Sequence, residues 1–547
     1  MGQKTEFDLK IKGMTCDSCA LHVTEALKSV SGVSRAEVPG WKSGQAIVVT
    51  EEGTGNTELV NAVRDAGYKA TVEKRIDIRS NDRRPDLMVI GGGSAGFAAA
   101  IKAVELGFKA ALVEGSTMGG TCVNIGCVPS KTLIRSLEQY HQAGNSPFRG
   151  VRTASKHLDW SEVVTQKDEL VGDLRKAKYE DVLAAYPDVE YVSGFAQLKA
   201  DGSVEIEGQM YSPRKILIAT GAKPWAPLIP GLKESAYLTS TTAMDLKKLP
   251  KSMILLGANA VGLELAQVFA RAGVEITVLE MMPQIAPGTD AEISSALQGY
   301  LEQEGLHIIT GFKTTEVSRQ RGQYILRGRQ GEKDTVFQAE QLLVATGRRP
   351  ATSGFGLEEA GVELGSRGEI LVNEVMQTSN PNIYAAGDVT GRDQFVYIAA
   401  YGAGLAVENA LNGTGRVYET EYIPRVIFSD PQVATAGLTE EQAREKGYDT
   451  AVSVLPMEHV PRALAARDTR GLVKLVADRK TDLLLGAHIL APLAGEMIQV
   501  AVLALRFGLK VSDLRETIFP YLTDVEAVKL AVLSFDKDVS KLSCCAG

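Results

Sequence analysis

The sequence predicts a multidomain chain, α+β at its start and α/β thereafter. A small ferredoxin-like βαββαβ domain comes first, followed by two Rossmann-like domains and a further α/β unit. Three observations carry that expectation. Residues 1–72 alternate strand and helix patterns in βαββαβ order. Two glycine-rich loops, GGGSAG at 91–96 and GANAVG at 257–262, each stand between an apolar strand and a helix. From Tyr422 the composition shifts, and PRVIFSDPQVATAGLTEEQ opens a unit that ends near Phe535.

A length of 547 residues suits three or four such domains. The net charge of −8 offers no basic surface to nucleic acid or to an anionic membrane. MGQKTEFDLK has no apolar core for a signal peptide, and no run of about 18 apolar residues follows, so the expectation is a soluble, cytoplasmic protein that is not integral to a membrane. The six cysteines form three close pairs, Cys16/Cys19, Cys122/Cys127 and Cys544/Cys545. In a reducing compartment such pairs point to metal binding or redox catalysis rather than structural bridges.

In order along the chain, Phe7, Leu9 and Ile11 alternate with charged residues as a half-buried strand, and GMTCDSC leads into a helix with Ala20, Val23, Leu27 and Val30 on one face. Strands at Val33–Val38 and Gln45–Thr50, a helix around Leu59–Val63 and a strand at Tyr68–Val72 complete the order. Cys16 and Cys19 stand where a loop meets a helix N-terminus, a position that favours thiolate. Two thiolates at that spacing can clamp a soft cation in line but cannot complete a zinc tetrahedron. Residues 73–84, EKRIDIRSNDRR, are charged and without apolar periodicity, and read as a linker.

Asp86–Ile90 is a buried strand leading into Gly91, Gly93, Ala95 and Gly96, a helix over Phe97–Leu106 and a strand over Ala110–Val113 that ends at Glu114. Glycines allow a pyrophosphate to approach the helix N-terminus, and Glu114 can accept from a ribose hydroxyl. The second loop follows Met253–Leu256 with Gly257 and Gly262 in place, but Asn259 stands where a middle glycine belongs, so its side chain must tilt away from the phosphates. The strand after it ends at Glu280, which favours NADH by repelling a 2′-phosphate, and the following MMPQIAP has no arginine to accept one. ATG triplets ending at Gly221 and Gly347 close two more apolar strands.

Between the two loops lies GGTCVNIGCVPSK, residues 119–131. Five residues of regular helix would set the Cys122 and Cys127 Cα atoms about 9 Å apart, beyond the roughly 7 Å reach of a disulfide. The segment must therefore depart from regular helix for the thiols to meet. Pro129 gives a reason: it lacks an N–H for the carbonyl of Ile125 and disfavours α geometry at Val128.

These motifs carry resemblances. GMTCDSC and its helix resemble the heavy-metal-associated domain. Gly91–Gly96, the second loop, TSNPNIYAAGD at 378–388 and the cysteine stretch resemble the pyridine nucleotide-disulfide oxidoreductases. That resemblance implies an FAD-binding domain over 85–250 and 348–418, an NAD(P)-binding domain over 251–347 and a dimerisation domain over 419–547 that completes the neighbouring subunit's active site in a homodimer. It assigns the first motif, Gly91, Gly93, Ala95, Gly96 and Glu114, to the ADP half of FAD and Asp388 to its ribityl chain, and the second motif, Gly257, Gly262 and Glu280, to the nicotinamide dinucleotide. Gly120, Thr121, Gly221 and Gly347 join them as cofactor-binding residues, with Lys131 and Glu264 as a pair beside the flavin.

One departure redirects the substrate. Dithiol reductases of this family end in an HPTxxE-type motif, and here Tyr521 stands at the histidine position of Tyr521–Glu526. A phenol of ordinary pKa about 10 is a poor base at neutral pH. With the metal-binding domain and the Cys544-Cys545 tail, this resembles the mercuric reductase family. The resemblance implies Hg(II) as substrate ion, received by Cys544 and Cys545 from small thiols or a mercury transport protein and passed to Cys122 and Cys127. Tyr521 and Tyr179 would line its path. Cys127 would face the flavin and Cys122 would exchange the metal. It also implies NADPH, against Glu280, so the electron donor is left as NAD(P)H.

Overall fold

The computed structural model describes residues 4–51, 54–78 and 84–541. By contact the chain divides into two compact units, residues 1–122, 174–223 and 349–419 in the first and residues 123–173, 224–348 and 420–547 in the second. Among the described residues no helix is long and apolar enough to cross a membrane.

The first unit opens with strand Lys4–Lys12, helix Asp17–Lys28, strands Val33–Glu37 and Gln45–Thr50, helix Asn56–Asp65 and strand Lys69–Ile78. The strands form one antiparallel sheet in the order Val33–Glu37, Gln45–Thr50, Lys4–Lys12, Lys69–Ile78. Phe7, Leu9 and Ile11 point to one face and seal a core with Val23, Leu27, Leu59 and Val63. The last strand corrects the linker expectation for residues 73–84. Residues 73–78 continue the ladder, with Thr5 facing Asp77 and Phe7 facing Arg75, past a register shift between Asp8 and Leu9. Charged residues hide an apolar alternation there, and backbone pairing to the first strand supplies the order instead.

Next in this unit is a parallel five-stranded sheet, ordered Ile383–Ala385, Lys215–Ile218, Leu87–Ile90, Ala110–Glu114, Val189–Ser193. Leu87, Val89, Leu112 and Leu217 face one core, while Met88, Ile90, Val113 and Ile218 face another. Burial on both faces is why these strands read as unbroken apolar runs. Residues of helices Ser94–Glu105 and Val396–Asn412 fill the first of those cores.

The second unit contains a parallel four-stranded sheet, ordered His307–Ile309, Glu275–Leu279, Ser252–Leu256, Gln341–Val344. Helices Cys127–Gly144 and Trp160–Arg175 belong to it, because Leu133, Leu137, Trp160 and Val164 share a core with Leu255, Leu263 and Phe269. Residues 123–173 thus pack with the second glycine-loop domain, although the sequence places them inside the first. The C-terminal sheet is antiparallel, ordered Arg425–Ile427, Gln432–Gly437, Leu484–Ala491, Leu472–Asp478, Thr450–Pro456.

Candidate active site

In the first unit the turn after Leu87–Ile90 is built so that only glycine fits. Gly91 has φ +113°, and a Cβ there would stand 2.4 Å from the Ala219 carbonyl oxygen; one on Gly96 would stand 1.8 Å from the Gly91 oxygen. The alanine of the first ATG triplet therefore braces the turn, a role the sequence did not reveal. Glu114 ties the same turn to its strand, Oε2 accepting from the Gly92 N–H and Oε1 from the Ser116 N–H, both at 2.7 Å. A backbone-lined turn at a helix N-terminus with an acid at the next strand end fits a dinucleotide's pyrophosphate and ribose.

The cysteine stretch lies on that turn. Gly119 N–H donates to the Gly92 oxygen at 2.8 Å, and a Cβ on Gly120 would stand 2.6 Å from the Gly93 Cα. Thr121 and Cys122 follow, both half-buried, in helix Gly120–Ile125. Tyr179 reaches the same neighbourhood from a π-helical turn, Lys176–Glu180. Its hydroxyl is 3.5 Å from Ser94 Oγ and its ring stands edge-on to Phe97 at 4.8 Å. Gly387, at φ +81°, packs beside that helix, where a Cβ would lie 3.4 Å from the Ala95 Cβ, and Asp388 is the next residue along the chain. Gly221, at φ +70°, ends the first ATG triplet.

The second unit repeats the turn. A Cβ on Gly257 would stand 2.6 Å from the Ala345 oxygen, and one on Gly262 2.0 Å from the Gly257 oxygen. Asn259 is the N-cap of helix Ala260–Arg271 and its side chain accepts from the Ala260 N–H, which is how it tilts aside. Glu280 accepts from the Ala258 N–H at 2.7 Å and the Met282 N–H at 2.8 Å. Gly347, at φ +122°, closes the second triplet.

Between the cysteines the helix breaks, but at Gly126 (φ −128°, ψ −110°) and not at Val128. Val128 is helical, and Pro129 is the third residue of helix Cys127–Gly144, where a missing N–H costs no intrahelical bond. Cys127 begins that helix and is exposed. One turn on, Lys131 Nζ lies 2.8 Å from Glu264 Oε2 and 4.5 Å from the centroid of the Phe428 ring, while the Phe428 N–H donates to Glu264 Oε1 at 2.9 Å. Phe428 was not legible in the sequence as part of this cluster. Tyr521 is 52% exposed on a turn that Glu526 steadies by accepting from the Leu522 N–H at 3.0 Å.

At the N-terminal pair, Cys16 is the N-cap of helix Asp17–Lys28, and its sulfur lies 3.1 Å from that of Cys19. The Cys19 thiol is pushed down to about 6, chiefly by a backbone hydrogen bond at Thr15, then by Cys16 and by the Tyr68 hydroxyl. Among the described residues no group of three or more His, Cys, Asp or Glu side chains is placed to hold a metal ion. Tyr68→Phe is expected to raise the Cys19 value, because a hydrogen bond that favours the thiolate is lost. The pH dependence of alkylation at Cys19 measures it, and an unchanged value removes Tyr68 from the pair's environment.

Comparison with known proteins places these features. Residues 85–404 match the model of the pyridine nucleotide-disulphide oxidoreductases, residues 423–532 that family's dimerisation domain, and residues 8–69 the heavy-metal-associated domain. A mercuric reductase of Bacillus cereus is 44% identical over 553 residues, covering 99% of this chain and 87% of that protein. The chain belongs to the mercuric reductases of the pyridine nucleotide-disulphide oxidoreductase family. A mercuric reductase of Staphylococcus aureus is 43% identical over 550 residues, with all of both chains covered. Among solved structures, the HOCl-induced flavoprotein disulfide reductase RclA from Escherichia coli superimposes with a TM-score of 0.73 at 32% identity, covering 82% of this chain and 99% of that one. Cys544 and Cys545 lie outside the described residues.

Proposed function

We propose that this chain catalyses Hg²⁺ + NAD(P)H → Hg⁰ + NAD(P)⁺ + H⁺ in the cytoplasm, detoxifying mercury as a homodimer. The observation that carries the reading is the doubled dinucleotide turn together with paired cysteines, one pair opening directly from the first turn at Gly120. We read the N-terminal sheet as ferredoxin-like and the two parallel sheets as Rossmann-like. Gly91, Gly93, Ala95, Gly96, Glu114, Gly120, Thr121, Gly221 and Asp388 would hold FAD; Gly257, Gly262, Glu280 and Gly347 the nicotinamide dinucleotide. Bound FAD supplies the two-electron link between NAD(P)H and the metal. The protein's own work is to deliver and hold the ion.

Cys16 and Cys19 collect the metal as a pair of soft ligands, and Cys544 and Cys545 of one subunit pass it to Cys122 and Cys127 of the other. Small thiols or a mercury transport protein present it. Thiolate exchange is associative, so each pair can take the ion while the donor pair still holds it. Tyr521 and Tyr179 line the path. Neither is asked to act as a base, because the reaction has no dithiol to deprotonate. Lys131, fixed between Glu264 and the Phe428 ring, keeps a positive charge one turn from Cys127.

The deciding experiment is Hg(II)-dependent NAD(P)H consumption by the FAD-loaded protein with excess small thiol. Turnover with release of elemental mercury is expected, and its absence rejects the reading. Cys544→Ala/Cys545→Ala is expected to slow turnover about tenfold or more when Hg(II) arrives on a bulky thiol, and less on a small one. Equal rates on the bulky donor remove the tail from the relay.

A further inference from the structure

The sheet of the N-terminal domain has its helices on one face. On the other face, strand Lys4–Lys12 presents Glu6 and Asp8, and strand Val33–Glu37 presents Arg35 and Glu37, each alternating with an inward residue of the core. Ile47 stands in the middle of this helix-free face, paired with Asp8 on one side and Glu37 on the other. An outward isoleucine on an open sheet should be bare, yet Ile47 is only 9% exposed and is no part of the domain's own core. Charged residues of the first dinucleotide-binding domain of the same unit, and Arg84 just before it, lie against the residues around Ile47. Arg35 Nη2 lies 2.9 Å from Asp86 Oδ1, and Arg84 Nη1 lies 4.0 Å from Glu6 Oε1. Arg214 and Lys215 stand close enough to Asp8 for their charges to act on it. At the edge, a Cβ on Gly40 would lie 4.0 Å from the Asn412 carbonyl oxygen.

We propose that the helix-free face of the N-terminal domain is a docking surface whose partner is the chain's own first dinucleotide-binding domain. An apolar centre at Ile47 with an acidic rim of Glu6, Asp8 and Glu37, set against Arg84, Arg214 and Lys215, has the anatomy of a protein interface. It is a weak one by construction. Docking desolvates charges, and burial pushes Glu6 and Asp8 up and Lys215 down to about 8. Burial of Ile47 and the Arg35–Asp86 pair offset that cost, and salt screens the pair.

Docking through this face leaves Cys16 exposed. Ile78 pairs with Lys4 at one end of the ladder, and Lys69 with Lys12 at the other, beside the GMTC loop. Nine paired residues separate the two ends by about 27 Å. The six residue steps from Ile78 to Arg84 span at most about 22 Å, so the undocked domain stays near its dock. None of this depends on which metal the cysteines carry.

The test uses the full-length, FAD-loaded protein and oxidation of the Lys215 side chain by hydroxyl radicals, which reports exposure independently of amine protonation, read by peptide mass spectrometry with exposed Lys313 as the internal reference. Arg35→Glu and Ile47→Asp are each expected to raise Lys215 labelling about fivefold or more, with Lys313 unchanged, and 0.5 M salt is expected to raise it in the unmodified protein. Preserved Cys19 alkylation shows that a variant domain is still folded. Labelling of Lys215 within about twofold of the unmodified protein in folded variants, or a flat salt response should a variant not fold, overturns the proposal.

Discussion

Serine in place of Cys127 is expected to leave a folded, FAD-bearing protein that consumes NAD(P)H no faster with Hg(II) than without it. Cys127 opens helix Cys127–Gly144, is exposed, and has Lys131 one turn away. A helix N-terminus offers the positive end of its dipole to a negative ligand, and the Lys131 ammonium adds to that field. Serine keeps the shape but exchanges a soft sulfur for a hard, protonated oxygen, for which Hg(II) has little affinity. The expected loss in Hg(II)-dependent turnover exceeds about a thousandfold, and Cys122→Ser is expected to fall into the same range because the two act as one ligand pair. Flavin absorbance of the purified variants separates this from misfolding, since Cys127 lies outside the residues read as holding FAD. Turnover above about a tenth of the unmodified rate in either variant removes that cysteine from the reducing site.

Much of this site was legible because its signals are local. A strand, a glycine turn, a helix and a terminal acid lie within about thirty residues, and the structure joins Glu114 to Gly92 and Glu280 to Ala258 in matching ways. The departure at Asn259 was legible too, because an N-cap is a local device. What escaped the sequence depends on partners far along the chain. Phe428 meets Lys131 across almost three hundred residues, and Ala219 and Ala345 brace their glycines with carbonyl oxygens, which any residue type carries. The strand over residues 73–78 escaped because its order comes from pairing with the first strand. The break between the cysteines was anticipated from Pro129 but falls at Gly126, where the chain can change direction before the new helix begins.

The unmodified protein is expected to use NADH in preference to NADPH, with a ratio of kcat/KM of about ten to a hundred. A coenzyme 2′-phosphate is received by a cation at the end of the second strand of such a domain, and here that position is held by the Glu280 carboxylate. Glu280 is 8% exposed, and both of its oxygens accept backbone N–H groups, from Ala258 and from Met282. It therefore cannot swing away without leaving two amides unpaired, each costing about 1–3 kcal/mol. The next residues, Met281, Met282, Pro283 and Gln284, carry no charge to offset it. A 2′-phosphate would set nearly two negative charges against a fixed third one, whereas a 2′-hydroxyl can donate to a remaining lone pair. Glu280→Gln removes the repulsion while keeping one acceptor, so it is expected to narrow the NADH-to-NADPH ratio about tenfold while lowering kcat/KM for NADH. Measured KM values for the two coenzymes in both proteins decide the matter. Equal use of NADPH by the unmodified protein, or a ratio unmoved by Glu280→Gln, shows that Glu280 serves only to tie the turn.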